Sequence, residues 1–291
     1  MIIMSKRLKG LLCLLIALCV VFTSVFVYAE QNEPEVSDTS SSEAVSEQTT
    51  GKPKKKPYTG WKKTKSGKKR YYIKGKLVKY KSIKIKKYRY CFNKKGYLVT
   101  KRSYKIGKKT YYLSKKGRVR AFKKGKTYYK RNGKKMNESQ TLDWKTRMTA
   151  EKLAAKITDK SMKKSEKLKV CFDWVMKKYY VQHRRFNPNV YWPAIYANDH
   201  FSNIGGDCHA DAGALAYLAV AIGYKNVYVC NDSNGTRAEG HSWCEIGGKV
   251  YDPLFAQAKS YSKYYGCSYS TYKLYPILHI KMDYNKNRPK R

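Results

Sequence analysis

The feature that most constrains the fold is a repeat in the first half of the chain. Gly75, Gly96 and Gly117 are 21 residues apart, and aromatic pairs such as Tyr71-Tyr72 and Tyr111-Tyr112 keep step with them. A fixed period of about 20 residues is typical of an array of stacked units. Each unit contains a short aromatic strand, a glycine turn and a second strand, so residues 57–136 are predicted to form β-hairpins that bury tyrosines against their neighbours.

Most of the positive charge of the chain falls in this repeat. The net charge is +43, and residues 57–136 carry 32 Lys or Arg and no Asp or Glu. Residues 137–291 carry 24 basic and 14 acidic residues. A dense cationic surface favours an anionic polymer as partner. Nucleic acid is the rival partner, and a merely solvated face is the third interpretation.

The N-terminal residues predict export. Lys6, Arg7 and Lys9 precede an apolar run that ends near Val27, and the small residue Ala29 offers a cleavage site. This pattern is typical of a signal peptide over residues 1–29, with an uncleaved membrane anchor as the alternative. Residues 30–56 have the Ser-, Glu- and Pro-rich composition of a disordered linker. We therefore expect a secreted protein held at the cell wall or cell surface, which makes a physiological nucleic-acid partner unexpected.

The repeat resembles the cell-wall-binding repeats of secreted bacterial proteins, the group that includes choline- and glucan-binding modules. The stretches "GKKRYYIKGKL" from Gly67 and "GKKTYYLSKKGRV" from Gly107 carry the resemblance. Apart from Trp61, the repeat lacks the tryptophans that would cage choline. The resemblance therefore implies a wall-binding module, and the charge points to an anionic wall polymer such as teichoic acid.

The second half of the chain, residues 137–291, is predicted to form a separate domain of helices and strands. Helical spacing indicates helices over 143–158 and 165–180, with Ser165 as the N-cap of the second. Residues 183–204 read as an irregular, aromatic segment. A further helix is predicted to begin at about Cys208 and to end at Gly223, with one apolar side. The thiolate of a cysteine in the first turn of a helix is favoured by the helix dipole.

Three consecutive antiparallel strands are predicted over 226–232, 240–248 and 249–255. The Gly247-Gly248 turn brings His241 and Asp252 to nearly facing positions on neighbouring strands. An aspartate that orients a histidine, with a thiol brought beside them by the start of a helix, is the arrangement that enzymes use for covalent acyl transfer. His183, His200 and His279 are expected to lie at the surface or in loops.

Residues from Leu168 to Phe255 resemble the transglutaminase-like superfamily of papain-type cysteine enzymes. The motifs are "GGDCHADAGALAYLAVAIGY" at 205–224, "GHSWCEI" at 240–246 and "VYDPLF" at 250–255. The resemblance implies an α+β fold, with a papain-like transglutaminase core in which the helix bearing the cysteine packs on an antiparallel sheet. It also implies that Cys208 is the nucleophile, His241 the general acid and base, and Asp252 the group that orients His241.

The function expected from these residues is that of an envelope-associated cysteine enzyme acting on amides of proteins or peptides through a thioester. A wall peptidase or amidase of the same fold and a non-catalytic surface-binding protein are the alternatives.

No cofactor or metal is expected. A zinc site of Cys208, His209, His241 and Cys244 is disfavoured because strand alternation puts Cys244 on the opposite face from His241. Cys230 and Cys244 are a possible disulfide on neighbouring strands, and a free Cys208 leaves at least one further unpaired thiol.

Overall fold

The computed structural model describes residues 56–236 and 238–282, which all belong to one compact unit, Lys56–Arg291. The predicted signal peptide, and the predicted linker apart from residue 56, lie outside the described residues. No helix in the described ranges is long and apolar enough to cross a membrane. The architecture has helices and antiparallel sheets, so the predicted α+β class is confirmed.

The repeat forms successive antiparallel hairpins. Its strands are β1 (Gly60–Lys63), β2 (Lys69–Ile73), β3 (Lys76–Leu77), β4 (Ser82–Ile85), β5 (Tyr88–Cys91), β6 (Ser103–Ile106), β7 (Lys109–Leu113), β8 (Val119–Lys124) and β9 (Thr127–Lys130). They pair as sheets of three, two and four strands in chain order. Gly75, Gly96 and Gly117 have φ values of +77°, +75° and +73°, a backbone region that favours glycine. This requirement explains why the glycine is the most regular element of the repeat.

Four longer helices follow the hairpins, and the third of them was not expected. They are α1 (Glu138–Ile157), α2 (Lys164–Met176), α3 (Trp192–Phe201) and α4 (Cys208–Ala221). The prediction of an irregular segment over 183–204 is wrong for its second half, where Pro193 lies in the first turn of α3 and suits a helix start. The predicted N-cap Ser165 is also wrong. The cap is Lys163, whose N–H donates to Glu166 Oε2 at 2.7 Å.

The predicted strands build the centre of a five-stranded antiparallel sheet. The remaining elements are β10 (Val227–Asn231), β11 (Ser242–Ile246), β12 (Lys249–Tyr251), α5 (Pro253–Ala258), α6 (Tyr261–Tyr264), β13 (Tyr265–Cys267), α7 (Tyr269–Tyr272) and β14 (Leu278–Lys281). The strand order is β13-β12-β11-β10-β14. The third predicted strand stops at Tyr251, because Asp252 caps α5 and Pro253 opens it.

Helix α4 lies at the middle of the main core. It contacts α1, α2, α3 and the strands β10 and β11. Every residue from Cys208 to Ala219 is buried, so the helix is enclosed on all sides, where the sequence had indicated one buried apolar side. A helix that is buried all round must be surrounded by other elements. Its cysteine is therefore held in a fixed position against the sheet.

The hairpins and the helices share a small second core. Trp144 of α1 is buried with Ala121 of β8 and Met136, and its ring lies edge-on to Tyr112 at 5.6 Å between centroids. Arg120 of β8 forms an ion pair with Glu151 of α1 at 2.7 Å. The last hairpins thus pack directly against the first helix.

Candidate active site

The two glycines before Cys208 allow a close backbone approach. Gly205 has a φ of +77°, and a Cβ there would lie 2.6 Å from the carbonyl oxygen of Tyr179. A Cβ at Gly206 would lie 2.2 Å from the Cβ of Ala210. Gly206 also accepts a hydrogen bond from the N–H of Val181 at 3.0 Å. At Gly205 a larger residue would push the start of α4 away from the segment after α2, and at Gly206 it would clash with Ala210 in the first turn of α4 itself.

Asp207 caps α4, and Cys208 is its first residue. Asp207 Oδ1 accepts hydrogen bonds from the N–H groups of His209 and Ala210 at 3.0 and 3.1 Å. Within the described ranges, no hydrogen-bond acceptor meets the N–H of Cys208. One backbone donor at the helix start is therefore available beside the sulfur.

The environment of the Cys208 thiol opposes ionisation. The residue is only 7% exposed. Burial is the largest effect and raises the pKa of the thiol well above its ordinary value, and the Asp207 carboxylate raises it further. The backbone N–H of Ser242 acts in the opposite direction by favouring the thiolate. Burial thus opposes the effect that was expected from the helix start, and the balance favours the neutral thiol over the thiolate.

His241 and Asp252 are joined directly, as their alternation on the two strands had predicted. His241 Nε2 lies 2.7 Å from Asp252 Oδ2. Asp252 is fully buried, and its Oδ1 accepts the N–H of Phe255 at 3.0 Å. The ring of Phe255 stacks on the imidazole of His241, with centroids 4.1 Å apart. The aspartate and the phenylalanine together fix the plane of the histidine ring and leave Nδ1 for another partner.

Cys208 lies next to this pair. The backbone N–H of Ser242, the residue after His241, lowers the pKa of the Cys208 thiol, and the charge of Asp252 raises it. Within the part of the chain that the structure describes, no hydrogen bond joins the Cys208 sulfur to His241. The structure thus places Cys208 close to the directly paired His241 and Asp252.

Two residues at the site were missed in the sequence. The hydroxyl of Tyr272 donates to Asp252 Oδ2 at 2.7 Å, and the amide of Asn231 lies 3.2 Å from His209 Nε2. Tyr272 is 20 residues after Asp252 in a short helix, so no local spacing could have identified it. Asn231 comes at the end of β10 and has no motif of its own.

His209, the residue after Cys208, is a buried part of the wall of the site. Its Nδ1 lies 3.5 Å from the Cys208 sulfur. Its ring stacks on Phe186 with centroids 4.4 Å apart. His209 therefore borders the thiol, and its Nε2 reaches Asn231 at the end of β10.

The other histidines depart in part from their predicted surface positions. His183 is exposed, as expected. His200 is fully buried in α3 and lies 3.2 Å from Asp211 Oδ1, so the surface prediction is wrong. His279 is exposed, as expected, but it lies in strand β14 and pairs with Glu245 at 3.0 Å.

The cysteines of the described residues are all thiols. They are Cys91, Cys171, Cys208, Cys230, Cys244 and Cys267. The possible Cys230–Cys244 disulfide is not formed. In the pairing of β10 with β11, Cys244 is opposite Val229, whereas Cys230 is opposite Trp243. The two side chains consequently point to opposite faces of the sheet.

A second candidate site is a groove along the hairpins, called the basic groove here. It has a volume of about 1420 Å³. Its basic lining residues are Lys62, Lys63, Lys68, Lys69, Lys94, Lys95, Lys101, Lys115, Lys116 and Arg118. Aromatic rings lie between them, with Trp61 edge-on to Tyr90 at 5.2 Å. Cations and aromatic faces along one groove suit an extended anionic polymer.

Comparison with known proteins gave limited similarity. No family model and no curated protein matches the chain. Among solved structures, the Cpl-1 endolysin in complex with a peptidoglycan analogue matches at 26% identity and a TM-score of 0.21. A mutant of that endolysin, in complex with a tetrasaccharide-pentapeptide, matches with the same values. Each match covers 30% of this chain and 28% of the endolysin chain, so the chain spans about a quarter of its neighbour's length.

Proposed function

We propose that this protein is an envelope-associated cysteine enzyme of the transglutaminase-like type that acts on amides of proteins or peptides. The observation that supports it most is the 2.7 Å contact of His241 with the buried Asp252, beside a cysteine at a helix start. The residues fill the roles of nucleophile, base and orienting group. Their order along the chain is the order of the motifs that resemble the superfamily.

The proposed reaction begins from a neutral thiol. The amide carbonyl approaches Cys208, and His241 accepts the thiol proton through Nδ1 as the sulfur attacks the carbonyl carbon. Asp252 stabilises the imidazolium. The backbone N–H of Cys208 would hold the oxyanion. His241 then gives the proton to the leaving nitrogen, the C–N bond breaks, and a thioester remains on Cys208.

The thioester can be resolved in two ways. Water gives a carboxylic acid, which makes the protein a peptidase, amidase or deamidase. A lysine amine gives a new amide, which makes it a cross-linking enzyme. The buried pair of His241 and Asp252 serves both, and a non-catalytic scaffold would have no need of a histidine held in this way.

The basic groove would hold the enzyme at its place of action. Its ten Lys and Arg side chains and interleaved rings would bind an anionic wall polymer, with teichoic acid as the example. Secretion and wall association are parts of this proposal. They bring the active site close to envelope proteins and to peptidoglycan peptides.

The proposal is tested by trapping the acyl-enzyme. Purified protein is mixed with a library of glutamine- and asparagine-containing peptides, quenched in acid, and the Cys208 peptide is examined by mass spectrometry. We expect an added acyl mass that hydroxylamine removes. Products formed with and without an added amine distinguish transfer from hydrolysis.

Two variants control this experiment. Cys208→Ala should give no adduct and no product, and Cys267→Ser should behave as the wild type, since the sulfur of Cys267 contacts the carbonyl of Val250 and has no assigned role in the reaction. Product formation by Cys208→Ala would exclude the proposal. A folded wild-type protein that yields neither adduct nor product with any peptide would favour the non-catalytic alternative.

A further inference from the structure

A second group of reactive side chains lies on the five-stranded sheet, and the proposed reaction does not use it. The sulfur of Cys230, a carboxylate oxygen of Glu245 and a ring nitrogen of His279 all lie within 4.8 Å of one another. They come from three adjacent strands, β10, β11 and β14. Thiol, carboxylate and imidazole are the three kinds of ligand that zinc takes in proteins.

The sheet register holds these side chains on one face. Cys230 is the partner of His279 in the pairing of β10 with β14. Tyr228, two residues before Cys230, is the partner of Glu245 in β11. Residues that are paired directly or two apart share a face of the sheet. The backbone therefore fixes the distances among the three ligands.

Neighbouring side chains orient the outer two ligands. The hydroxyl of Tyr269 donates to Glu245 Oε2 at 2.8 Å, and the indole N–H of Trp243 donates to that hydroxyl at 3.2 Å. The ring of Tyr228 stacks on His279, with centroids 4.0 Å apart. Hydrogen bonds and packing of this kind keep metal ligands in place.

The position also provides access for an ion. Cys230 is fully buried and Glu245 nearly so, whereas the side chain of His279 is 40% exposed. An ion can thus enter from the His279 side and keep a water molecule as its fourth ligand. A thiolate and a carboxylate together carry two negative charges, which balance one divalent cation.

We infer that Cys230, Glu245 and His279 form a zinc site. On binding, the thiol of Cys230 loses its proton to solvent and forms a bond to Zn²⁺. The hydrogen bond between His279 and Glu245 is replaced by a bond from each residue to the ion. The ion would link strand β14 to strands β10 and β11. None of its ligands belongs to the proposed catalytic set, so the inference stands apart from the proposed function.

The test uses tag-free protein stripped of metal by a chelator, with Co²⁺ and Zn²⁺ as probes. We expect one equivalent of Co²⁺ to give a sulfur-to-cobalt charge-transfer band that Zn²⁺ displaces, and Zn²⁺ to raise the unfolding temperature. His279→Ala, at a partly exposed position that should tolerate truncation, should weaken Zn²⁺ binding by at least about 10-fold. Cys230→Ser should remove the band.

Two control variants identify the sulfur. Cys208→Ala and Cys267→Ser should bind both ions as the wild type does. The inference is overturned if the wild type binds less than one equivalent of either ion. It is equally overturned if the band persists in Cys230→Ser and Zn²⁺ binding persists in His279→Ala, or if Cys208→Ala abolishes the band. Cys208→Ala also removes the proposed catalytic activity, so the failure of one idea is separable from the failure of the other.

Discussion

At the scale of single residues, Asp252 connects the fold to the proposed chemistry. One oxygen caps α5 through the N–H of Phe255, and the other accepts from Tyr272 and faces His241. The side chain is fully buried. A buried carboxylate needs such partners, because an unpaired charge in the interior is costly. The same contacts that stabilise Asp252 therefore also aim His241.

Replacing this carboxylate with an amide separates its two roles. Asp252→Asn should keep the cap of α5, since asparagine caps helices well, but it removes the charge that stabilises the imidazolium. We expect kcat to fall by about 100-fold or more with KM nearly unchanged. The unfolding temperature should fall modestly, because the amide nitrogen in place of Oδ2 cannot accept the hydrogen bond from Tyr272. The exposed Asp159→Asn is the matched control. Unchanged kcat in Asp252→Asn would contradict the role of this residue.

The protonation of Cys208 predicts how the thiol reacts with alkylating reagents. Burial raises its pKa, so the reactive thiolate is scarce at neutral pH and increases as pH rises. Labelling by iodoacetamide, followed by mass spectrometry of the Cys208 peptide, should be slow at pH 7 and should rise about tenfold per pH unit through pH 9. A labelling rate that is already on a plateau near pH 7 would contradict this prediction, because it would indicate a thiolate paired with an imidazolium.

At the scale of elements, the contact between α3 and α4 positions the cysteine. Gly213 of α4 lies against α3, where an added Cβ would be 2.8 Å from the carbonyl oxygen of Pro193. The helices can approach this closely because glycine has no side chain. The start of α4 is thereby set from two directions, by α3 and by the glycines before Cys208.

Adding one methyl group to this contact should be destabilising. We expect Gly213→Ala to lower the free energy of unfolding by about 1–3 kcal/mol, measured by urea denaturation, although alanine is the better helix former. Lys152→Ala, at an exposed position of α1, should change it little. An increase in stability for Gly213→Ala would mean that the two helices separate without cost.

The element scale also shows what the sequence could and could not predict. The motifs around Cys208, His241 and Asp252 predicted α4, the strand pairing and the His241–Asp252 contact, because each depends on short-range spacing. Helix α3 was missed because aromatic and turn-forming residues hid its periodicity, and its stability comes from packing on α4. The buried partners Tyr272 and His200 were missed for a related reason, since only tertiary contacts bring them to their carboxylates.

At the scale of the whole molecule, the positive charge is concentrated on the hairpins and is predicted to govern binding. Four of the lysines in the basic groove are Lys94, Lys95, Lys115 and Lys116. Changing all four to Glu should lower the affinity for polyglycerol phosphate by about tenfold or more. The measurement is isothermal titration calorimetry at several salt concentrations, because added salt should weaken wild-type binding.

A matched variant separates the contribution of the basic groove to binding from the contribution of the net charge. Changing the four exposed lysines Lys152, Lys156, Lys160 and Lys177 to Glu alters the total charge by the same amount outside the groove. This variant should keep most of the affinity. Equal losses in the two variants would mean that binding depends on overall charge alone, and wild-type binding that is insensitive to salt would contradict an electrostatic anchor.

The shared core around Trp144 has a mechanical consequence. Because the last hairpins are packed on α1 through this side chain and tied to it by Arg120 and Glu151, the hairpins and the following helices should turn as one body. An enzyme bound to a polymer through these hairpins would hold its cleft at a fixed orientation and distance from the polymer. Substrate selection would then depend on the position of an amide relative to the polymer as much as on the sequence around that amide.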